Sequence, residues 1–457
     1  MALADMKLTD YINNKPYECS CGKTHRADID EILIENGAVN ETGAVAERVI
    51  TKNAPAFDKA VHSVFLLADE NTYAAVGKKA EESARARGFK INRLILPGDR
   101  QVVPDEKTVF KVLHAIDSRD KFFIAAGSGT LNDMCRYLSF KLSVPYMVVA
   151  SAPSMDGFAS NVAPLVVCNI KTTYITITPR AIIGDTEVLK KAPRELIAAG
   201  LGDILGKYNA LCDWKNSNLV TGEEYCAEIA GMVMEATKKT ERSAPGLAGR
   251  DEGSIKLLME ALVLTGVAMS FWGYSRPASS AEHHIAHFWE MAFLYENREA
   301  VLHGAKVGVA SVYAAYLQNK LANAEIDFGR AEASAKNFSF DKWADKTREQ
   351  YREVALEFID REREIKMYAP ENRLKRIEAI KANLPEIIAT IKKYTPPEDK
   401  LRALIREAGG PASPAEVGIP DKLVLDGVRY AKDSRIYYTI LQILGDLDLL
   451  DEYAKIL

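Results

Sequence analysis

Phe122-Phe-Ile-Ala-Ala-Gly-Ser-Gly-Thr-Leu-Asn-Asp133 decides the fold. Five apolar residues bounded by glycine have the length of a strand buried on both faces, and a helix follows. A strand that turns through glycine into a helix is the repeating unit of a parallel α/β sheet. The same alternation extends outward on both sides. Ser63-Val-Phe-Leu-Leu-Ala68 reads as a buried strand, and Asp69-Glu-Asn-Thr72 caps a helix running to Arg87. Asn92-Arg-Leu-Ile-Leu96 is another strand, closed by Pro97-Gly98, and a helix carrying Val109, Val112, Leu113 and Ile116 comes next. Tyr146-Met-Val-Val-Ala150 ends in Ser151-Ala-Pro-Ser-Met-Asp156-Gly157. Val166–Ile170 with Thr173–Thr178 reads as a hairpin, and Ala181–Gly184 as a short strand. The pattern predicts a doubly wound, Rossmann-like parallel sheet.

After Pro193 nearly everything reads as helix, including amphipathic runs at 254–272 and 306–322. The expected division is therefore an α/β domain over 1–190 and an all-α domain over 191–457. The segment 325–400 is rich in Arg, Lys and Glu, as in Arg361-Glu-Arg-Glu, and reads as a solvated helical face. A formal charge of −4 over 457 residues offers no basic face for nucleic acid. No apolar run is read as reaching the roughly 18 residues of a membrane span. The start, MALADMKLTD, has no signal-peptide core. Six scattered cysteines do not form a disulfide framework, so cytoplasmic residence is expected.

Four of the seven histidines fall between 283 and 303. His283 and His287 are four apart in a helical segment and share a face, whereas His284 points about 100° away. His303 lies in a Leu-His-Gly turn before an apolar run. Asp203, in Gly-Leu-Gly-Asp-Ile-Leu-Gly-Lys, is expected at the start of a helix, just after flexible glycines. One carboxylate and two or three imidazoles, Asp203 with His283, His303 and, as a third, His287, would suit a divalent metal with open positions, a Lewis acid for a carbonyl. The plainer reading of these residues is a capping Asp with core or surface histidines.

Gly127-Ser-Gly-Thr130 can bring backbone close to a pyrophosphate at a helix N-terminus, although it matches neither the longer Rossmann fingerprint nor the P-loop. Asp69 can accept from an adenosine ribose or simply cap its helix. The loop Ser151–Ser160 ends a strand on the same edge, where Asp156 is read as a ligand contact. Cys19-Ser-Cys21-Gly-Lys-Thr-His25 has zinc-ligand character. A structural site needs four ligands and no fourth stands nearby, so the stretch is read as a reducible surface loop or β-turn.

Five segments, in this order, carry a resemblance: GSGTLND (127–133), SAPSMDGFAS (151–160), EVLKKAPRELIAAGLGDILGK (187–207), SRPASSAEHHIAH (275–287) and LHGAKVG (302–308). The chain resembles the glycerol dehydrogenase/dehydroquinate synthase-like group of the iron-containing alcohol dehydrogenase superfamily. In SRPAS-x2-EH it resembles the branch acting on glycerol 1-phosphate rather than plain glycerol dehydrogenases. The resemblance implies a metal, zinc or nickel first, on Asp203, His283 and His303. It implies NAD(H) or NADP(H) on Gly127, Ser128, Gly129, Thr130, Leu131, Ser151, Ser154 and Ser160, and substrate on Asp156, Asp203 and His287. Many relatives have Gly-Gly-Gly-Ser where this chain has Gly127-Ser-Gly-Thr130.

The implied activity is reversible reduction of dihydroxyacetone phosphate to sn-glycerol 1-phosphate, a glycerophospholipid precursor. The 1–190 domain would bind the dinucleotide and the 191–457 domain the metal and substrate. Arg276 and Lys207 are candidates for holding the phosphate, and a homo-oligomer, dimer or larger, is expected. The alternatives are a glycerol dehydrogenase acting on an unphosphorylated polyol, a dehydroquinate synthase-like lyase/cyclase, and a non-catalytic ligand sensor.

Overall fold

The computed structural model describes residues 8–12, 15–99, 101–167, 170–296 and 298–455. In chain order the strands are β1 Tyr17–Glu18, β2 Thr24–His25, β3 Glu31–Glu35, β4 Ser63–Asp69, β5 Lys90–Leu96, β6 Asp120–Gly127, β7 Tyr146–Ala150, β8 Val162–Val167, β9 Ile170–Ile175 and β10 Ala181–Asp185. Six of them form a sheet in the order β3-β10-β7-β6-β4-β5, parallel throughout. The interiors of β4, β6 and β7 are buried without alternation, as expected of strands covered on both faces. Val45, Val49, Leu66, Ile124, Val149 and Ile183 share one core beneath the helix Thr42–Asn53.

The antiparallel pair of β8 and β9 begins about four residues earlier than its expected first strand. Pro164 disguised this start, because proline suggests a break. A two-stranded ribbon consists of edge strands, where proline is tolerated. Cys168 and Asn169, within the expected hairpin, lie outside the described residues.

The chain packs as two compact units. The first runs to Ile204 and also takes Ala227–Pro277 and Glu407–Gly410. The second comprises Leu205–Cys226, Ala278–Arg406 and Pro411–Leu457. The expected change to helix is present, since the last strand ends at Asp185 and helices follow.

Within the first unit, the helix Glu252–Trp272 is long and apolar enough to cross a membrane by length and composition, which corrects the reading that no run reaches that length. In its most apolar window, 72% of it is buried within the protein, where it packs on the helix Ala227–Ala248. In the second unit, the helix His303–Ala322 is buried on nearly every side from Gly304 to Ala315. Neither helix is the half-exposed amphipathic element expected, because each serves as a central core helix.

The charged segment also departs from a simple solvated face. Arg373 and Arg376 both bind Asp446, at 3.2 and 2.7 Å. Glu362 is buried and accepts the N–H groups of Met367 and Tyr368. The sequence carries the charges, but the partner Asp446 lies about 70 residues away in the chain.

Candidate active site

In the first unit, β4 lies between β5 and β6, so the strand order reverses between β4 and β6. Open α/β sheets bind ligands at the carboxyl ends of strands at such a switch point. Asp69 ends β4, and Gly127 ends β6. Asp69 caps its helix: its Oδ1 accepts from Thr72 N–H at 2.8 Å. The helix Gly129–Leu142 begins at once, so its first-turn N–H groups face this edge. A Cβ on Gly127 would come within 2.4 Å of Leu131 Cδ1, so a larger residue there would have to displace the Leu131 side chain. At Gly129 a Cβ would sit 3.3 Å from Met155 Cγ. With a pyrophosphate on the first-turn N–H groups, as the family resemblance implies, Gly129→Val should weaken dinucleotide binding far more than metal binding, as read by fluorescence titration and metal analysis.

The loop after β7 is tied to this turn, with Ser151 N–H donating to the Gly127 carbonyl at 3.2 Å. Ser151, Ser154, Asp156 and Ser160 are all buried on it. Arg136, which the sequence analysis did not single out, holds the loop in place. Its fully buried guanidinium donates to the carbonyls of Gly157 (2.5 Å), Phe158 (3.1 Å) and Val162 (2.7 Å). It also donates to Asp133 (2.8 Å) and the Tyr146 hydroxyl (3.0 Å). Burial pushes the Asp133 carboxyl up to about 7, with Arg136 opposing the shift. Arg136→Ala would leave these acceptors unpaired, at a cost of roughly 3–5 kcal/mol. Chemical denaturation should show that loss, together with weaker dinucleotide binding.

Asp203 is fully buried near the C-terminal end of the helix Arg194–Leu205, not at a helix start as expected. Gly200, one of the glycines that suggested a start, serves packing instead: a Cβ on it would fall 1.9 Å from the Pro153 carbonyl oxygen. This close approach sets the helix against the loop, and Asp156 N–H donates to Asp203 Oδ2 at 3.0 Å. Arg276 is also in this unit and is fully buried.

In the second unit the helix Ala281–Tyr295 carries His283 and His287, and His303 opens the helix His303–Ala322. The three rings converge, with centroids 6.0 Å apart for His283 and His287, 5.2 Å for His283 and His303, and 5.7 Å for His287 and His303. Ligand nitrogens of His283 and His303 lie within 4.8 Å of each other. His284 points away as expected and stacks on Tyr437.

Glu282 is fully buried, and its Oε1 accepts a hydrogen bond from His283 Nδ1–H at 2.8 Å. That bond leaves His283 Nε2 as the lone-pair donor, the arrangement a metal-binding imidazole needs. Asp213 accepts from Ser280 Oγ at 2.7 Å and from Ala281 N–H at 3.4 Å, fixing the start of the histidine helix. Glu290 joins His287 Nδ1 (3.3 Å) to Lys306 Nζ (2.8 Å). Lys207 is fully buried and donates to the Ala278 carbonyl at 3.1 Å.

Glu282, Asp213 and Glu290 were not picked out from sequence. Only the adjacency of Glu282 to His283 could have signalled one of them. Glu282→Gln should lower metal affinity about 10–100-fold, measured by competition with a chelator.

The sequence matches a family model described as iron-containing alcohol dehydrogenase over residues 34–193. It is 35% identical over 320 residues to a glycerol-1-phosphate dehydrogenase using NAD(P)+ from Halalkalibacterium halodurans, covering 69% of this chain and 78% of that one. A protein of the same name from Bacillus subtilis is 32% identical over 434 residues, covering 94% and 95%. In fold the chain is similar to glycerol dehydrogenase from Schizosaccharomyces pombe, with a TM-score of 0.58 at 16% identity, covering 93% of this chain and 90% of that one.

Proposed function

Because the chain belongs to the glycerol-1-phosphate dehydrogenase family, we propose that it reversibly reduces dihydroxyacetone phosphate to sn-glycerol 1-phosphate with NADH or NADPH. One observation carries this reading: the similarity to a relative of that name runs nearly the full length of both chains.

We assign Asp203, His283 and His303 to one divalent ion, with zinc or nickel favoured by the mixed imidazole and carboxylate donors. The tautomer that Glu282 imposes on His283 supports that assignment. When bound, the ion supplies Lewis acidity at the substrate carbonyl and the nicotinamide supplies the reducing equivalent.

The chain's own groups do the rest. Backbone N–H groups from Gly127 through Leu131 receive the pyrophosphate, and Ser151, Ser154 and Ser160 line the dinucleotide's path. Asp69 keeps a second carboxylate oxygen for the ribose. Asp156 and His287 orient the substrate hydroxyls, and His287, backed by Glu290, passes a proton at its ring nitrogen. Arg276, with Lys207 second, holds the phosphate. Dinucleotide binding belongs to 1–190, which also lends Asp156 to the substrate, and metal binding and the other substrate contacts belong to 191–457. The enzyme works in the cytoplasm as a homo-oligomer.

The test is product analysis. The purified chain, given dihydroxyacetone phosphate, NADH and zinc or nickel, should yield the sn-1 phosphate rather than its enantiomer. No NADH oxidation with either metal would refute the assignment.

A further inference from the structure

The N-terminal stretch makes the β-turn expected of it but is not a mere surface loop. β1 and β2 pair over only two residues each, and two-residue strands do not hold a hairpin by themselves. Gly22, at φ 82°, makes the tight turn and donates to the Cys19 carbonyl at 3.0 Å. Yet Cys19 and His25 are buried, with His25 only 1% exposed. The turn brings ligand atoms of Cys19, Cys21 and His25 within 4.8 Å of one another.

Cys21 Sγ lies 3.3 Å from His25 Nε2. Around tetrahedral zinc, sulfur and nitrogen sit about 3.6 Å apart, given bonds of about 2.3 and 2.0–2.1 Å. His25 Nδ1 is 3.0 Å from the Phe271 carbonyl, which can only accept. The ring proton is therefore on Nδ1, and Nε2 presents its lone pair toward the thiols. An outer carbonyl or carboxylate that fixes the tautomer is a regular companion of metal-binding histidine.

A candidate for the fourth ligand lies far along the chain. Ser20, between the two cysteines, donates its N–H (3.2 Å) and hydroxyl (2.6 Å) to Glu228 Oε1. The Tyr17 hydroxyl donates to the other oxygen of Glu228. Glu228 is the second residue of the helix Ala227–Ala248, and Cys226 is peptide-bonded to the first. Two residues span at most about 7 Å, so the Glu228 clamp holds the cysteine pair close to Cys226. Cys226 is itself fully buried and not in a disulfide.

We propose that Cys19, Cys21, His25 and Cys226 form a closed structural zinc site, distinct from the ion assigned to the active site. Three thiolates and one imidazole fill all four tetrahedral positions, leaving none for substrate. Each thiol releases its proton to solvent as zinc binds. The soft, sulfur-rich set selects zinc over the hard divalent ions. The ion supplies the ordering that the two short strands lack.

Elemental analysis of the purified full-length chain tests this. Cys226→Ser should carry one zinc equivalent fewer than wild type, and His283→Ala should keep that equivalent after dialysis against EDTA. Zinc content unchanged in Cys226→Ser, or absent from EDTA-treated His283→Ala, would overturn the proposal. Should Cys226→Ser fail to fold, cobalt(II) reconstitution of the wild-type chain decides. An intense thiolate-to-cobalt charge-transfer band supports the site, and its absence with cobalt bound rejects it.

Discussion

His283→Ala and His303→Ala should each lose the metal proposed for the active site and nearly all turnover while the fold survives. Each ring supplies one of only three proposed protein bonds to the ion, and an open site has no spare ligand. The loss should exceed the roughly 10–100-fold typical of an outer-shell partner such as Glu282. The fold is expected to hold because alanine is the best helix former and other groups anchor the helix. Asp213 fixes its first turn, and Trp289 Nε1 donates to the Leu423 carbonyl at 3.0 Å. Circular dichroism and metal analysis on the same samples check both parts. Full turnover with normal metal content in either variant would exclude these ligands.

Free dihydroxyacetone should be a poor substrate, with kcat/KM lower than for its phosphate by roughly two orders of magnitude, the worth of charge-assisted contacts. The remote phosphate provides binding energy that positions the carbonyl, so its loss lowers the rate as well as the affinity. Arg276 ranks first among the cations because it precedes the helix carrying His283, and its burial makes an anion contact strong. Arg276→Ala should narrow the preference between the two substrates without changing metal content. A buried arginine also supports the fold, but the ratio of the two efficiencies does not depend on how much protein is folded. An unchanged ratio would move the phosphate contact to Lys207. Equal efficiency of the wild-type chain with both substrates would place it among plain glycerol dehydrogenases.

The central strands β4, β6 and β7 were legible because they are buried on both faces and so read as unbroken apolar runs, whereas the edge strand Glu31–Glu35, which alternates, was not. Tyr146–Ala150 matches to the residue, and the strands at 63, 92, 122 and 181 differ only at their ends. The histidine helix was legible from spacing alone: His283 and His287 share a face, and His284 does not.

What failed to show was whatever depends on distant partners. Asp203 was placed at a helix start because Gly200 and Gly202 look like a loop, when Gly200 answers to the carbonyl of Pro153. Arg136 looked like an ordinary helix residue, since its acceptors are backbone carbonyls that carry no sequence signal. The zinc-like cluster has no fourth ligand nearby in sequence, and Cys226 lies some two hundred residues on.

The most direct test of the central claim is the stereochemistry of the product formed from dihydroxyacetone phosphate and NADH by the metal-loaded chain. Incubating the product with a dehydrogenase specific for sn-glycerol 3-phosphate should give no reaction, while total glycerol phosphate matches the NADH consumed. Quantitative oxidation of the product by that enzyme, or NADH consumption without glycerol phosphate, would contradict the account.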